Sequence, residues 1–131
     1  LRSLGKHFLA ELFGCKSEII NNVELVEGHM KTSVLLSGAT IVQSVFHTFS
    51  PYGVSGVVIV AESHLAVHTW PEHDYVAIDF FSCGDLECER AISNLQIGFG
   101  AERIEIKKID RGVLEQLSPR KEEFLNRIEK Q

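Results

Sequence analysis

Between positions 47 and 84 the chain carries His47, Ser55, Glu62, Ser63, His64, His68, Glu72, His73 and Cys83, most of them inside or at the ends of apolar runs. A Glu-Ser-His triplet directly after an apolar stretch must offset the desolvation of three polar groups. Any one of these residues can be a strand end with satisfied hydrogen bonds. The whole set reads better as chemistry, and three kinds are open to it.

The first is metal binding by His64 and His68, supplemented by Glu72 or His73. On a strand, two residues four apart face the same way but lie ~13 Å from one another, too far to share one metal without a bend. No metal is therefore expected. The second is a hydrolytic triad using Ser63 or Cys83 with a histidine. No Gly-x-Ser-x-Gly elbow surrounds Ser63 to permit the strained turn such a nucleophile uses. The third is self-processing at the Glu62–Ser63 bond. The serine hydroxyl attacks the preceding carbonyl carbon, turning the amide into an ester. A base then removes the serine α-proton, the ester breaks by β-elimination, and the dehydroalanine left behind hydrolyses to a pyruvoyl group. That sequence needs a serine, a base, a polar group for the oxyanion and a chain tethered on both sides.

The elements that position these residues follow from pattern. Residues 6–13 read as a strand ending near Gly14. Segment 18–36 reads as a helix, with Ile19, Val23, Val26, Met30 and Val34 on one face, Ser17 as N-cap and Gly38 as stop. Residues 39–49 read as a strand and 50–53 as a turn. Val54 to Ala61 is nearly all apolar and reads as a strand buried on both faces. Strands follow at 65–70, ended by Pro71, and at 75–82. Segment 85–97 reads as a helix capped by Asp85 and stopped by Gly98. Residues 102–109 read as an outer strand, and Ser118-Pro119 as the opening of a last helix. Short connections between strands favour antiparallel pairing. The expected fold is α+β, a two-layer sandwich with helices on one face of an antiparallel sheet. A dimer packing through the other face is one way to cover it.

The chain has 131 residues, 44% of them hydrophobic, which suits one globular domain spanning 1–131. Thirteen Lys and Arg against eighteen Asp and Glu give a net charge of −5, with no basic stripe, so no nucleic-acid partner is expected. No apolar run approaches the ~20 residues of a membrane span. No signal-like apolar stretch follows Leu1-Arg2-Ser3, and a start at Leu rather than Met implies a short trimmed segment. Cys15, Cys83 and Cys88 show no CxxC spacing, which fits neither a disulfide framework nor a zinc site. A cytoplasmic setting is expected, with Cys15 and Cys88 as packing residues.

The stretch PYGVSGVVIVAESHLAVHTWPE at 51–72, with FFSCG at 80–84, strongly resembles the prokaryotic class of S-adenosylmethionine decarboxylases. The resemblance runs from about Gly5 to Gly84 and weakens beyond. It implies a proenzyme that cuts itself between Glu62 and Ser63 into chains 1–62 and 63–131, Ser63 becoming the pyruvoyl cofactor. It implies His68 as the processing base, Ser55 as oxyanion stabiliser and Cys83 as proton donor in the decarboxylation. It implies Phe49 stacking on adenine and Glu72 binding the ribose hydroxyls. The pyruvoyl ketone would take the substrate amine as a Schiff base and accept the electrons freed by carbon dioxide. The product would be the aminopropyl donor for spermidine and polyamine biosynthesis. The resemblance also implies a homodimer whose sites draw residues from both subunits. Arginine or ornithine as substrate, or an unprocessed nucleoside-binding homologue, are the alternatives. One geometric expectation concerns strand parity. Ser63 and His68 are five apart and point to opposite faces of a straight strand, so direct contact requires a bend or bulge near 63–64.

Overall fold

A computed structural model of the chain describes residues 2–119 and 122–129. Six strands form one sheet: β1 (Ser3–Phe13), β2 (Ile41–Thr48), β3 (Val54–Val60), β4 (Ser63–Trp70), β5 (Tyr75–Ser82) and β6 (Arg103–Val113). Their order is β2-β3-β4-β5-β1-β6, and every pair is antiparallel. The helices are α1 (Ser17–Ile20), α2 (Val23–Leu36), α3 (Cys88–Gly98) and α4 (Glu122–Glu129). No helix among the described residues is long and apolar enough to cross a membrane.

Alternation along each strand assigns its faces. Phe8, Ala10 and Leu12 of β1 form the core with Val54, Val58 and Val60 of β3, Leu65 and Val67 of β4, and Val76, Ile78 and Phe80 of β5. Against them pack Ile20 of α1, Val26, Met30 and Val34 of α2, and Ala91, Ile92 and Leu95 of α3. Each fully buried aliphatic or aromatic side chain in that layer contributes about 1.5–3 kcal/mol. This is the α+β two-layer arrangement expected from the pattern. Helices α1, α2 and α3 all pack on this core side, and the opposite face is turned away from them. It bears His47, Ser55, His64, His68, Trp70, Tyr75, Asp79, Phe81, His7 and Glu11 by strand parity.

Four local expectations are corrected. Segment 18–36 is two helices, because the chain breaks at Asn21-Asn22 and the Asn22 side chain accepts from the Leu25 N–H at 3.1 Å, capping α2 afresh. Strand β3 is buried on one face only: Val54, Val58 and Val60 are enclosed, while Ile59 is 39% exposed. Its apolar run reflects two apolar faces, one of them left open in the single chain. Helix α3 begins at Cys88 with Glu87 at its N-cap, so Asp85 belongs to the preceding loop. Pro119 precedes the start of α4 at Glu122, and residues 120 and 121 lie outside the described residues.

The flanks of the sheet explain its ends. Gly56 of β3 lies beneath the Phe46 ring of β2, where a Cβ would come within 2.0 Å of a ring carbon. Strand β6 closes the other edge with exposed Lys107 and Lys108, charges that discourage pairing with a further strand.

Candidate active site

The β3–β4 hairpin turns on two residues, Ala61 and Glu62, with Val60 and Ser63 paired across it. Glu62 adopts φ +66°. A left-handed conformation costs a residue with a side chain roughly 1–2 kcal/mol, and no glycine is present to avoid it. The strained residue is therefore Glu62, in the peptide unit that leads into Ser63, rather than a bend or bulge at 63–64. Strand β4 itself runs in unbroken register against β3 and β5 from its first residues, without the expected bend.

Ser63 sits where β4 begins, and its Oγ accepts the Cys83 backbone N–H at 3.1 Å. Cys83 follows the last residue of β5, with its thiol free and exposed. The two ends of the sheet that bring Ser63 and Cys83 together are fixed by the β4–β5 register, which pairs His64 with Phe81. Those two rings stack at 5.9 Å between centroids. His7 of β1 meets both edge-on, accepts from the Arg111 guanidinium at 3.0 Å through Nδ1, and points Nε2 toward Asp79 at 3.7 Å. An arginine donates only, so His7 carries its proton on Nε2.

Ser55 and His68 form a cross-strand pair between β3 and β4, with Ser55 Oγ 2.8 Å from His68 Nδ1. If Nδ1–H donates to Ser55, His68 Nε2 is a bare lone pair and the Ser55 hydroxyl hydrogen stays free. That tautomer alone supplies both a base and an oxyanion donor. The pair lines a cleft of about 210 Å³ together with Phe49, Tyr52, Trp70 and Glu72. Phe49 stands at the mouth, 47% exposed, its ring edge-on to His47. A row of rings leads into this cleft: Phe13 to Tyr75 at 5.6 Å, Tyr75 to Trp70 at 5.3 Å, and Trp70 to His68 at 6.4 Å. The Tyr75 hydroxyl donates to Glu11. Burial first, and then that bond to a carboxylate, push the Tyr75 phenol up to about 12.

The six residues expected to act thus fall into two groups. Phe49, Ser55, His68 and Glu72 share one cleft; Ser63 and Cys83 touch at the other end of β4. Five residues of extended chain, roughly 16 Å, separate Ser63 from His68. Ser63 also has the parity of inward-facing Leu65 and Val67, whereas His68 faces out. Sequence reasoning gave no part in the site to Tyr52 or Trp70, both of which line this cleft. Trp70 shares the outward parity of His68, a signal that could have placed it in the cleft.

The family model for S-adenosylmethionine decarboxylase matches residues 6–112. A Thermotoga petrophila protein named S-adenosylmethionine decarboxylase proenzyme is 49% identical over 113 residues, covering 86% of this chain and 87% of its own length. A protein of the same name from Syntrophomonas wolfei is 47% identical over 117 residues, covering 88% and 93%. The crystal structure of the adenosylmethionine decarboxylase from Aquifex aeolicus superposes with a TM-score of 0.82 at 32% identity, covering 92% of this chain and all of that one. The chain belongs to the S-adenosylmethionine decarboxylase family.

Proposed function

We propose that this chain cuts itself between Glu62 and Ser63 and then decarboxylates S-adenosylmethionine, supplying the aminopropyl donor for spermidine synthesis. The single observation that carries the reading is the position of Ser63. It follows a strained, exposed turn residue, with a backbone N–H aimed at its hydroxyl oxygen. A scissile bond in a hairpin turn can part without dismantling either strand. Residue 63 also meets the backbone of Cys83, whose thiol is free and exposed, which suits a pyruvoyl group generated there.

In the cutting reaction Ser63 Oγ adds to the Glu62 carbonyl carbon and displaces its own amide nitrogen. His68 then takes the Ser63 α-proton, and the Glu62 carboxylate departs with Oγ. The dehydroalanine takes up water and loses ammonia. General-base removal of such a proton contributes about 10²–10⁴-fold. Ser55 donates its hydroxyl to the oxyanion formed at Glu62, where one well-placed donor is worth about 10²–10³-fold.

Within one chain His68 and Ser55 lie at the wrong end of β4 for these tasks. We assign them to the Ser63 of a second copy in a homodimer packed through the sheet face opposite α1, α2 and α3. With strands of the two copies opposed, the cleft end of one sheet meets the Ser63–Cys83 end of the other.

The pyruvoyl group would supply a ketone for the substrate amine and a sink for the electrons released with carbon dioxide. Cys83 Sγ–H gives its proton to the former α-carbon; delivery to the residue-63 carbon instead would leave a dead alanyl end. Phe49 and Trp70 offer ring faces to adenine and to the sulfonium charge, and Glu72 accepts from ribose hydroxyls. These contacts favour an adenosyl substrate over arginine or ornithine. The free Cys83 thiol fits the reducing cytoplasm in which we locate the reaction.

Mass spectrometry of purified protein tests the reading. Two fragments meeting at 62/63, the second beginning with a ketone, and carbon dioxide released from carboxyl-labelled S-adenosylmethionine are expected. An intact chain without turnover overturns it.

A further inference from the structure

We infer that the Cys83 backbone N–H stabilises negative charge on Ser63 Oγ during self-cutting, and that Ser82 is the positioning residue that aims it. This rests on the proposed cutting at Glu62–Ser63 and adds a part to it.

Ser82 ends β5 on the core-facing side, 3% exposed, in line with Val76, Ile78 and Phe80. An alanine would fill such a position at no desolvation cost, so the buried hydroxyl requires a partner. It finds one two residues on: Ser82 Oγ donates to the Gly84 carbonyl at 3.3 Å and accepts the Gly84 N–H at 3.4 Å. One side chain thereby closes the Ser82-Cys83-Gly84 loop on itself. Apart from its chain neighbours, nothing lies within 4 Å of where a Gly84 Cβ would be, so packing does not hold that end of the loop. The residue held in the middle, Cys83, turns its N–H to Ser63 Oγ at 3.1 Å.

The same oxygen bears charge twice. It is an incipient alkoxide as it adds to the Glu62 carbonyl, and it is a carboxylate oxygen as it departs in the β-elimination. In both steps the bond to Oγ changes while the N–H stays fixed, so a donor there lowers both barriers without reorganising. The N–H also favours the ionised hydroxyl over the neutral one, which moves the onset of cutting to lower pH.

Ser82→Ala should slow cutting about tenfold, the size of a misaligned charge-assisted hydrogen bond. It should also move the alkaline rise of the rate to higher pH and lower the fraction of chain that hydroxylamine releases as an ester. Ser82→Thr, which keeps the hydroxyl, should restore all three. Thermal unfolding measured in a Ser63→Ala background reports separately on any loss of fold. Equal cutting rates, pH profiles and ester fractions in wild type and Ser82→Ala overturn the inference. So does a Ser82→Ala defect that is uniform with pH and tracks lost stability. A wild-type chain that never cuts overturns the underlying reading instead.

Discussion

Ser55 Oγ and His68 Nδ1 stand 2.8 Å apart across β3 and β4, and the pair lies at the far end of β4 from Ser63. The hydrogen bond couples the tautomer of the His68 ring to the direction of the Ser55 hydroxyl, and the length of the strand separates both from Ser63. Under the proposed cutting, a His68 held that far from the Ser63 of its own chain would serve the Ser63 of a second copy.

Mixed dimers check this directly. His68→Ala chains alone should remain whole, their cutting slowed by about 10²–10⁴-fold. Co-expressed with Ser63→Ala chains, which keep His68, a share of the His68→Ala chains should be cut at 62/63. Gel separation of the two tagged chains reads the outcome. Complementation that never appears removes the assignment of His68 to the partner.

Glu62→Gly releases the left-handed strain at the turn. In a Ser63→Ala background, where no cutting intervenes, it should raise stability by about 1 kcal/mol in urea titration. With Ser63 present it should slow cutting, because the ground state no longer holds the bond under strain. Faster cutting would deny any contribution from the turn.

The three thiols should separate by reactivity. Burial pushes Cys15 up to about 11, with the Asp74 carboxylate adding to the shift, and burial raises Cys88 as well. Iodoacetamide at pH 8 should therefore label exposed Cys83 alone in the folded protein, and that labelling should abolish decarboxylation. Peptide mapping after a short pulse gives the order, and early labelling of Cys15 would contradict its burial.

Tyr75 makes a pH prediction with a definite sign. Its folded value of about 12 exceeds the ordinary value near 10. The unfolded chain therefore ionises first as pH rises. The stabilisation is complete below about pH 10 and is lost between there and 12. Absorbance at 295 nm should show a phenol titrating near 12 that disappears in Tyr75→Phe, and stability measured from pH 9 to 12 should fall less steeply in that variant.

The strands around the site were legible because their residues alternate or end in punctuation. Pro71 stops β4, and Tyr75–Ser82 shows the inward series Val76, Ile78, Phe80 without interruption. The Asn21-Asn22 break was hidden because the apolar spacing of α1 and α2 continues through it, while the capping side chain is local chemistry. The two faces of β3 could not be told apart, since burial on the second depends on what packs there rather than on the run itself. The division of the site was half visible. Parity already set Ser63 and His68 on opposite faces, but the link between Ser63 and Cys83 comes from the β4–β5 register, which no spacing along the chain encodes.

The strand order has a consequence for the cut protein. Strands β1, β2 and β3 precede position 62 and β4, β5 and β6 follow it, yet β1 lies between β5 and β6. The strands of the two fragments thus interleave in one sheet, and breaking one peptide link frees neither. The nicked molecule would melt as a single cooperative body. Once melted, however, it becomes two separate polymers whose recovery is second order in concentration. Maturation then converts a chain that can refold alone into one that dilution can prevent from ever re-forming.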